Sequence, residues 1–170
     1  MDLGLQGRTA VVCGASSGIG LAIAERLVAE GANVAMFARR RELLEREAER
    51  LGALAVRGDV TNPADLKRLV DRTVAAFGGI DILVNNSGGP PRTPALGLAD
   101  EQVESAVELL LLSAIRLTAL CLPQLERSGR RADLHPLPGG DARAREHLYA
   151  RGSAVARPSP TPAPVAWTSD

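Results

Sequence analysis

The stretch Cys13–Gly20, CGASSGIG, decides the fold, because it lies where an apolar run gives way to a helical pattern. The run from Thr9 to Ala15, TAVVCGA, is typical of a buried parallel strand. Gly14, Gly18 and Gly20 permit a tight turn, and they let an anion approach the free N–H groups and the dipole of the following helix. The stretch predicts a phosphate-binding turn, and a plain glycine-rich turn is the alternative.

The same alternation of strand and helix continues as far as residue 128. Further strand patterns are NVAMFA (33–38), LAVRGDV (54–60) and IDILVNN (80–86), and helical patterns cover residues 19–30, 41–51, about 61–77 and 100–127. Thr61 or Asn62 is expected to cap the third helix, and Pro123 is expected to kink the fourth. This order predicts the α/β class, a Rossmann-like doubly wound parallel sheet with helices on both faces.

The composition changes abruptly after residue 128. Six of the eleven prolines, the only Trp, the only Tyr and both His lie beyond residue 128. No periodic element of any length is recognisable there, and RPSPTPAPVAW is typical of an extended proline-rich segment. The sequence therefore predicts a Rossmann-type dinucleotide-binding domain at 1–128 and an irregular, disordered Pro/Arg-rich tail at 129–170.

Charge and composition narrow the classes of function. Acids and bases balance at 20 each, which argues against nucleic-acid binding. The N-terminus lacks the pattern of a signal peptide, and Ser113 and Arg116 interrupt the most apolar run, which favours a buried helix over a membrane span. Cys13 and Cys121 are expected to be reduced core residues. We expect a soluble cytoplasmic protein without membrane or nucleic-acid partners.

Three motifs appear in order, each at the carboxyl end of a predicted strand: CGASSGIG, GDV at 58–60 and LVNNSG at 83–88. Ligands bind at these ends in open parallel sheets. Over residues 5 to about 128 the sequence resembles the short-chain dehydrogenase/reductase family. The resemblance implies an oxidoreductase that transfers hydride between a nicotinamide cofactor and a small-molecule carbonyl or alcohol.

The resemblance also implies the roles of particular residues. Residues of the glycine turn would hold the cofactor phosphates, residues after the third strand the adenine, and residues after the fourth strand the ribose. The phosphate-binding residues would be Gly14, Ser16, Ser17, Gly18, Ile19 and Gly20. The adenine would contact Asp59 and Val60, and the ribose would contact Asn86, Ser87 and Gly88. Asn85 is expected to brace the central strands, and no metal site is predicted.

The residues after the second strand bear on the choice of cofactor. The segment FARRREL places Arg39 and Arg40 where an acid would bind the ribose diol of NAD, and no acid lies between the second strand and Glu42. Arginine pairs with the 2′-phosphate of NADP, so NADP(H) is predicted in preference to NAD. The alternative is a solvated basic helix start, which the helix dipole does not favour.

The catalytic part of the family pattern is missing. Leu110 stands where the resemblance implies an active-site asparagine. Tyr149 lies at about the expected distance from LVNNSG, but Ser153 occupies the place of the family's lysine, and Lys67 is the only lysine in the chain. Arg151 cannot replace it, because residues two apart do not share a helical face. Tyr149 is therefore rejected as catalytic, and no catalytic residue is assigned.

A shifted reading frame would explain the change after residue 128. Residues 130–135, RRADLH, back-translate to codons that permit Val-Val-Gln-Ile-Ser-Thr one nucleotide later, which would form a fifth strand ending in serine. A genuine truncation with a functional tail is the alternative. Either way the sheet would keep the order 3-2-1-4, with the fourth strand as an open edge. A marginal, association-prone fold follows.

Three interpretations of function remain. The first is a member of the reductase family with its cofactor half only, the second a non-enzymatic NADP-binding module, and the third an inactive product of a disrupted gene. The resemblance is also compatible with a homo-oligomer, because the long helix often forms the subunit contact in relatives. The sequence does not identify the substrate, since the loops that select it in the family have no counterpart here.

Overall fold

The structure is a computed structural model that describes residues 3–89 and 99–128, and the backbone of 133–134. Its centre is a parallel sheet with the strand order β3-β2-β1-β4-β5. The strands are β1 Thr9–Cys13, β2 Asn33–Ala38, β3 Leu54–Arg57, β4 Ile82–Val84 and β5 Asp133–Leu134. The predicted fold class and the predicted order 3-2-1-4 are confirmed.

Helices follow the strands in the predicted sequence. They are α1 Gly18–Ala29, α2 Arg41–Leu51, α3 Pro63–Phe77, α4 Asp100–Val107 and α5 Ser113–Arg127. Of the two predicted caps for α3, the structure selects Asn62, whose side chain accepts a hydrogen bond from the Ala64 N–H at 2.9 Å. Pro63 then occupies the first turn, where its missing N–H costs nothing.

Two hydrophobic layers cover the two faces of the sheet, because successive residues of a strand point to opposite sides. Ala10 and Val12 of β1 pack with α1 and α2 on one face. Val11 and Cys13 pack with α3 and α5 on the other. All five β1 residues are buried, which explains why the strand is apolar at four consecutive positions after Thr9 rather than at alternate ones. Helices therefore lie on both faces, as predicted.

The long helical region differs from its prediction in two ways. A π-helical segment at Glu108–Leu112 separates α4 from α5 and was not predicted, and Pro123 lies inside α5. The region is also less buried than expected, since only 17% of its most apolar window is covered. One stripe of α5 packs against the sheet, and the rest of the surface faces outward. Asp100–Arg127 is the one helix among the described residues that is long and apolar enough to cross a membrane.

A short fifth strand extends the sheet beyond β4. Leu83 pairs with Asp133, and Val84 with Leu134, in parallel register. The prediction that β4 forms an open edge was therefore wrong over these two pairs. The physical reason is that the free N–H and C=O groups of an edge strand accept almost any extended segment, whatever its side chains. A search for β-branched periodicity does not find a strand of two residues.

Candidate cofactor-binding site

The predicted motifs meet in one cavity of about 290 Å³ at the carboxyl ends of the strands. Parallel strands bring these ends to a single edge of the sheet. The lining residues come from the ends of β1, β2, β3 and β4 and from the π-helical segment. They are Gly14, Ser16, Ser17, Phe37, Ala38, Arg39, Arg40, Gly58, Asp59, Val60, Asn86, Ser87, Gly88, Gly89 and Leu109.

The glycine turn is held in a conformation that requires glycine. Gly14 has φ +61°, and a Cβ on it would lie 2.6 Å from the side-chain nitrogen of Asn86 and 2.7 Å from its backbone oxygen. A Cβ on Gly20 would lie 2.3 Å from the Gly14 oxygen. Gly18, with φ +60°, faces open space instead. Two of the glycines thus permit close packing, and the third leaves the approach to the N-terminus of α1 clear.

The two asparagines after β4 have distinct structural partners. The Asn86 side chain donates to the carbonyl of Cys13 at 3.1 Å, which joins the ends of β4 and β1 beneath the cavity. The Asn85 side chain donates to the Thr118 hydroxyl at 3.1 Å, which joins β4 to α5. The bracing of the central strands that was expected of Asn85 is therefore made by Asn86, which also lines the cavity.

The two predicted arginines, which directly follow β2, both line the cavity. Arg40 donates to the Ser17 hydroxyl at 2.5 Å, linking the end of β2 to the glycine turn. Arg39 lies 3.8 Å from the carboxylate of Asp59 and is 75% exposed. No carboxylate of the described residues other than Asp59 lines the cavity. The opening beside β2 is therefore flanked by two guanidinium groups.

Most predicted residues reach the cavity, but the first turn of α1 does not. Gly18, Ile19 and Gly20 are not among the residues that line it, and Ile19 is 41% exposed. The sequence reasoning missed Phe37, Ala38, Gly58, Gly89 and Leu109. Four of these lie within two positions of a predicted residue in the chain, so a wider window around each motif would have found them. Leu109 carried no such signal, because its position depends on how the π-helical segment passes the cavity.

The described residues supply little of a catalytic apparatus. Leu110 is 49% exposed on the π-helical segment, and its neighbour Leu109 is the one that lines the cavity. Lys67 lies on α3, 69% exposed and paired with Asp71, away from the cavity. Tyr149 lies outside the described residues. No group of three or more His, Cys, Asp or Glu within 3–89 and 99–128 is arranged to hold a metal ion.

A parallel sheet with a glycine turn at the start of α1 and a cavity at its switch point defines a dinucleotide-binding α/β domain. The sequence model of the family described as short chain dehydrogenase matches residues 8–133. The chain belongs to this family.

Individual relatives agree with this assignment. A putative ketoacyl reductase of granaticin polyketide synthase from Streptomyces violaceoruber is 44% identical over 125 residues, covering 71% of this chain and 50% of that protein. An uncharacterized oxidoreductase from Mycobacterium bovis is 41% identical over 111 residues, covering 63% of this chain and 45% of that protein. Crystalline L-sorbose reductase from Gluconobacter frateurii, complexed with NADPH and L-sorbose, superposes with a TM-score of 0.75 at 39% identity, covering 79% of this chain and 54% of that one. The chain spans about half the length of the relatives it matches.

Proposed function

We propose that this chain is the NADP(H)-binding part of a short-chain reductase, built for hydride transfer between NADP(H) and a carbonyl or alcohol. The observation that carries the proposal is a single cavity with the glycine turn on one side and the guanidinium groups of Arg39 and Arg40 on another. When bound, the cofactor supplies the hydride, and the protein supplies binding and orientation.

The glycine turn fits a pyrophosphate. Gly18 leaves open space at the N-terminus of α1, and the first N–H groups of a helix have no partners within the helix. Ser17 occupies the N-cap with extended backbone, but its side chain makes no capping bond. Its hydroxyl instead accepts from Arg40. This end of α1 thus keeps free donors and a positive dipole for an anion.

The pair of arginines supports NADP over NAD. Arg40 is anchored on Ser17 through one of its N–H groups, so its four remaining donors are restricted in orientation before any ligand binds. Guanidinium forks match the geometry of a phosphate. An NAD-binding site would need a carboxylate at this place, and the nearest acid along the chain, Glu42, lies in the first turn of α2 and does not line the cavity. The relative crystallised with NADPH supports the same choice.

A non-enzymatic NADP-binding module is the second candidate. What favours it is the absence of a suitable proton donor among the described residues: Leu110 replaces the implied asparagine, and Lys67 points to solvent on α3. Without an acid whose pKa is set by a nearby lysine, the protonation that accompanies hydride transfer has no donor within the part of the chain that the structure describes. We propose that this chain binds the cofactor without turning over a carbonyl or alcohol.

The test is a fluorescence titration of the whole chain with NADPH and with NADH. We expect tighter binding of NADPH, and the Arg40→Ala variant should weaken NADPH by about tenfold while leaving NADH within about twofold, as for one charge-assisted hydrogen-bonded contact. Arg46→Ala, an exposed arginine of α2 that pairs with Glu47, is the matched control. Equal loss for both cofactors, or equal loss in both variants, would contradict the proposal.

A second measurement separates the candidates. Turnover of a panel of ketones and aldehydes with NADPH is expected to be absent from this chain, and to appear in a chain whose coding DNA restores a serine-ending strand and a Tyr-x-x-x-Lys pattern. Turnover by the present chain would refute the module. We also propose a cytoplasmic location, which suits the free, buried thiols of Cys13 and Cys121. Sedimentation analysis would test whether the chain forms homo-oligomers.

A further inference from the structure

The turn after β3 is held from beneath by Asp65, a residue of α3. One oxygen of its carboxylate accepts a hydrogen bond from the backbone N–H of Asp59 at 2.9 Å. Asp65 is only 19% exposed, and it does not line the cavity that Asp59 and Val60 line. Its side chain therefore contacts the wall of the candidate adenine site from the outer side.

The Asp65 carboxylate also holds Arg68, which in turn contacts the start of the turn. Its second oxygen pairs with Arg68 at 2.7 Å. Another nitrogen of that guanidinium donates to the carbonyl of Arg57, the last residue of β3, also at 2.7 Å. The chain segment from Arg57 to Asp59 is therefore fixed at both ends, once through a carbonyl and once through an N–H, by two side chains one turn apart on α3.

Packing at Gly58 keeps this segment close to its support. A Cβ at Gly58 would lie 2.6 Å from the ring of Phe37 and 2.9 Å from the Cβ of Asp65. Only glycine lets the backbone enter this space. A small movement of Asp65 is thus transmitted directly to the turn, because no flexible side chain separates them.

Both oxygens of the Asp59 carboxylate also have partners. One oxygen of the Asp59 carboxylate accepts from the Thr61 N–H at 2.9 Å and from the Thr61 hydroxyl at 2.8 Å. The other oxygen faces Arg39 at 3.8 Å. These contacts orient the Asp59 side chain relative to its own backbone, and Asp65 is the side chain that fixes that backbone through its N–H.

We infer that Asp65 is a positioning residue for the adenine end of the cofactor: by holding the Asp59 N–H, it fixes the backbone on which Asp59 and Val60 present the adenine wall of the cavity. This inference rests on the proposed function, because it assigns the adenine to that wall. Asp65 acts through the turn and is not expected to touch the cofactor.

The ionisation of Asp65 agrees with this role. The hydrogen bond from the Asp59 N–H is the largest cause that lowers the pKa of the Asp65 carboxyl below its ordinary value; desolvation opposes it, and Arg68 and then Arg57 lower the pKa further. The group therefore remains an anion at neutral pH, and an anion is the stronger acceptor for an N–H.

A simpler explanation is that Asp65 merely stabilises α3, since it lies in the first turn of that helix. The chain offers a control that separates the two roles. Asn62 caps the same helix through the Ala64 N–H, and its side chain makes no contact with the Asp59 N–H. Asn62→Ala should lower the thermal stability of the helix start while leaving the support of the turn intact.

The experiment measures binding of NADPH and of adenosine 2′,5′-bisphosphate to the whole chain, together with the melting temperature of each variant. We expect Asp65→Ala to raise both dissociation constants by about tenfold. Asp65→Asn, which keeps an acceptor oxygen but no charge, should raise them by about threefold. Asn62→Ala should stay within about twofold despite its lower melting temperature.

Three results would overturn the inference. One is an unchanged affinity of Asp65→Ala, and another is a loss of affinity in Asn62→Ala as large as that in Asp65→Ala. If Asp65→Ala does not fold, Asp65→Asn decides alone, and an unchanged dissociation constant refutes the role. Failure of the unaltered chain to bind NADPH would overturn the proposed function and this inference with it, and is recognised before any variant is made.

Discussion

Replacing Gly14 by alanine tests the description of the glycine turn most directly, because its conformational cost and its steric cost to the free energy of unfolding can be separated. The first cost is conformational: Gly14 has φ +61°, and an L-residue in this left-handed region loses about 1 kcal/mol. The second is steric. The new Cβ would lie 2.6 Å and 2.7 Å from atoms of Asn86, one of them backbone. Relief of such crowding costs about 2 kcal/mol, so the expected loss is about 3 kcal/mol.

Gly18→Ala provides the matched control. Its φ of +60° is nearly the same, but nothing lies within 4 Å of the added Cβ. This variant should lose only the conformational part, about 1 kcal/mol. The difference between the two variants, about 2 kcal/mol, measures the close approach of Asn86 to Gly14.

Urea denaturation at a fixed protein concentration measures both free energies of unfolding. With a slope of about 2 kcal/mol per molar urea, the two midpoints should differ by about 1 M. Equal midpoints, within about 0.25 M, would refute the crowding at Gly14. NADPH titration adds an independent readout, because Gly18→Ala places a methyl group in the open approach to α1 and should weaken binding more than it weakens the fold.

Three further predictions concern stability and association. Burial, with a smaller effect of Cys121, raises the pKa of the Cys13 thiol from 9.0 to about 12. Since the thiol of the unfolded chain ionises first, this contribution to stability is fully present below pH 9 and falls by about 1.4 kcal/mol per pH unit above it. Cys13→Ala should flatten that loss in urea titrations at pH 8 to 10.5. Asp81→Ala removes an acceptor 2.8 Å from the Thr9 N–H, and this hydrogen bond joins the starts of β4 and β1. Calorimetry should show that the free energy of unfolding falls by about 2 kcal/mol, and a fall below about 0.5 kcal/mol would show the bond to be unimportant. Leu111 and Ile115 are 54% and 55% exposed, so changing both to Gln should reduce self-association in sedimentation without lowering stability, and a drop in stability would mean that they are covered.

The local part of the fold was predictable from sequence. The strand and helix patterns are short-range, and a cap such as Gly52, which ends α2 with φ +65°, acts on its own helix alone. The glycine turn was predictable because its positive φ angles favour glycine locally, whereas the close approach of Asn86 to Gly14 was not. Parallel pairing then followed from the alternation of strand and helix, which leaves few other topologies open.

The long helical region marks where this reasoning failed. The π-helical segment at Glu108–Leu112 was not predicted, and Pro123, where a kink was expected because proline removes a backbone donor, lies inside α5. A run of leucines carries no local signal for a π-helical segment. Its position follows from how α4 and α5 meet the rest of the domain, and that is a tertiary property.

By itself, therefore, the sequence determined that strands and helices alternate into a parallel sheet, and that a glycine turn opens the first helix. Only the tertiary structure decided which side chains meet around the cavity. Arg40 bonds Ser17 across 23 positions, Asn86 rather than Asn85 braces β1, and Asp65 lies under the Asp59 turn. The physical reason is that strand and helix patterns depend on residues close together in the chain, whereas these partners come from separate elements. Their hydrogen bonds form only once those elements have packed together.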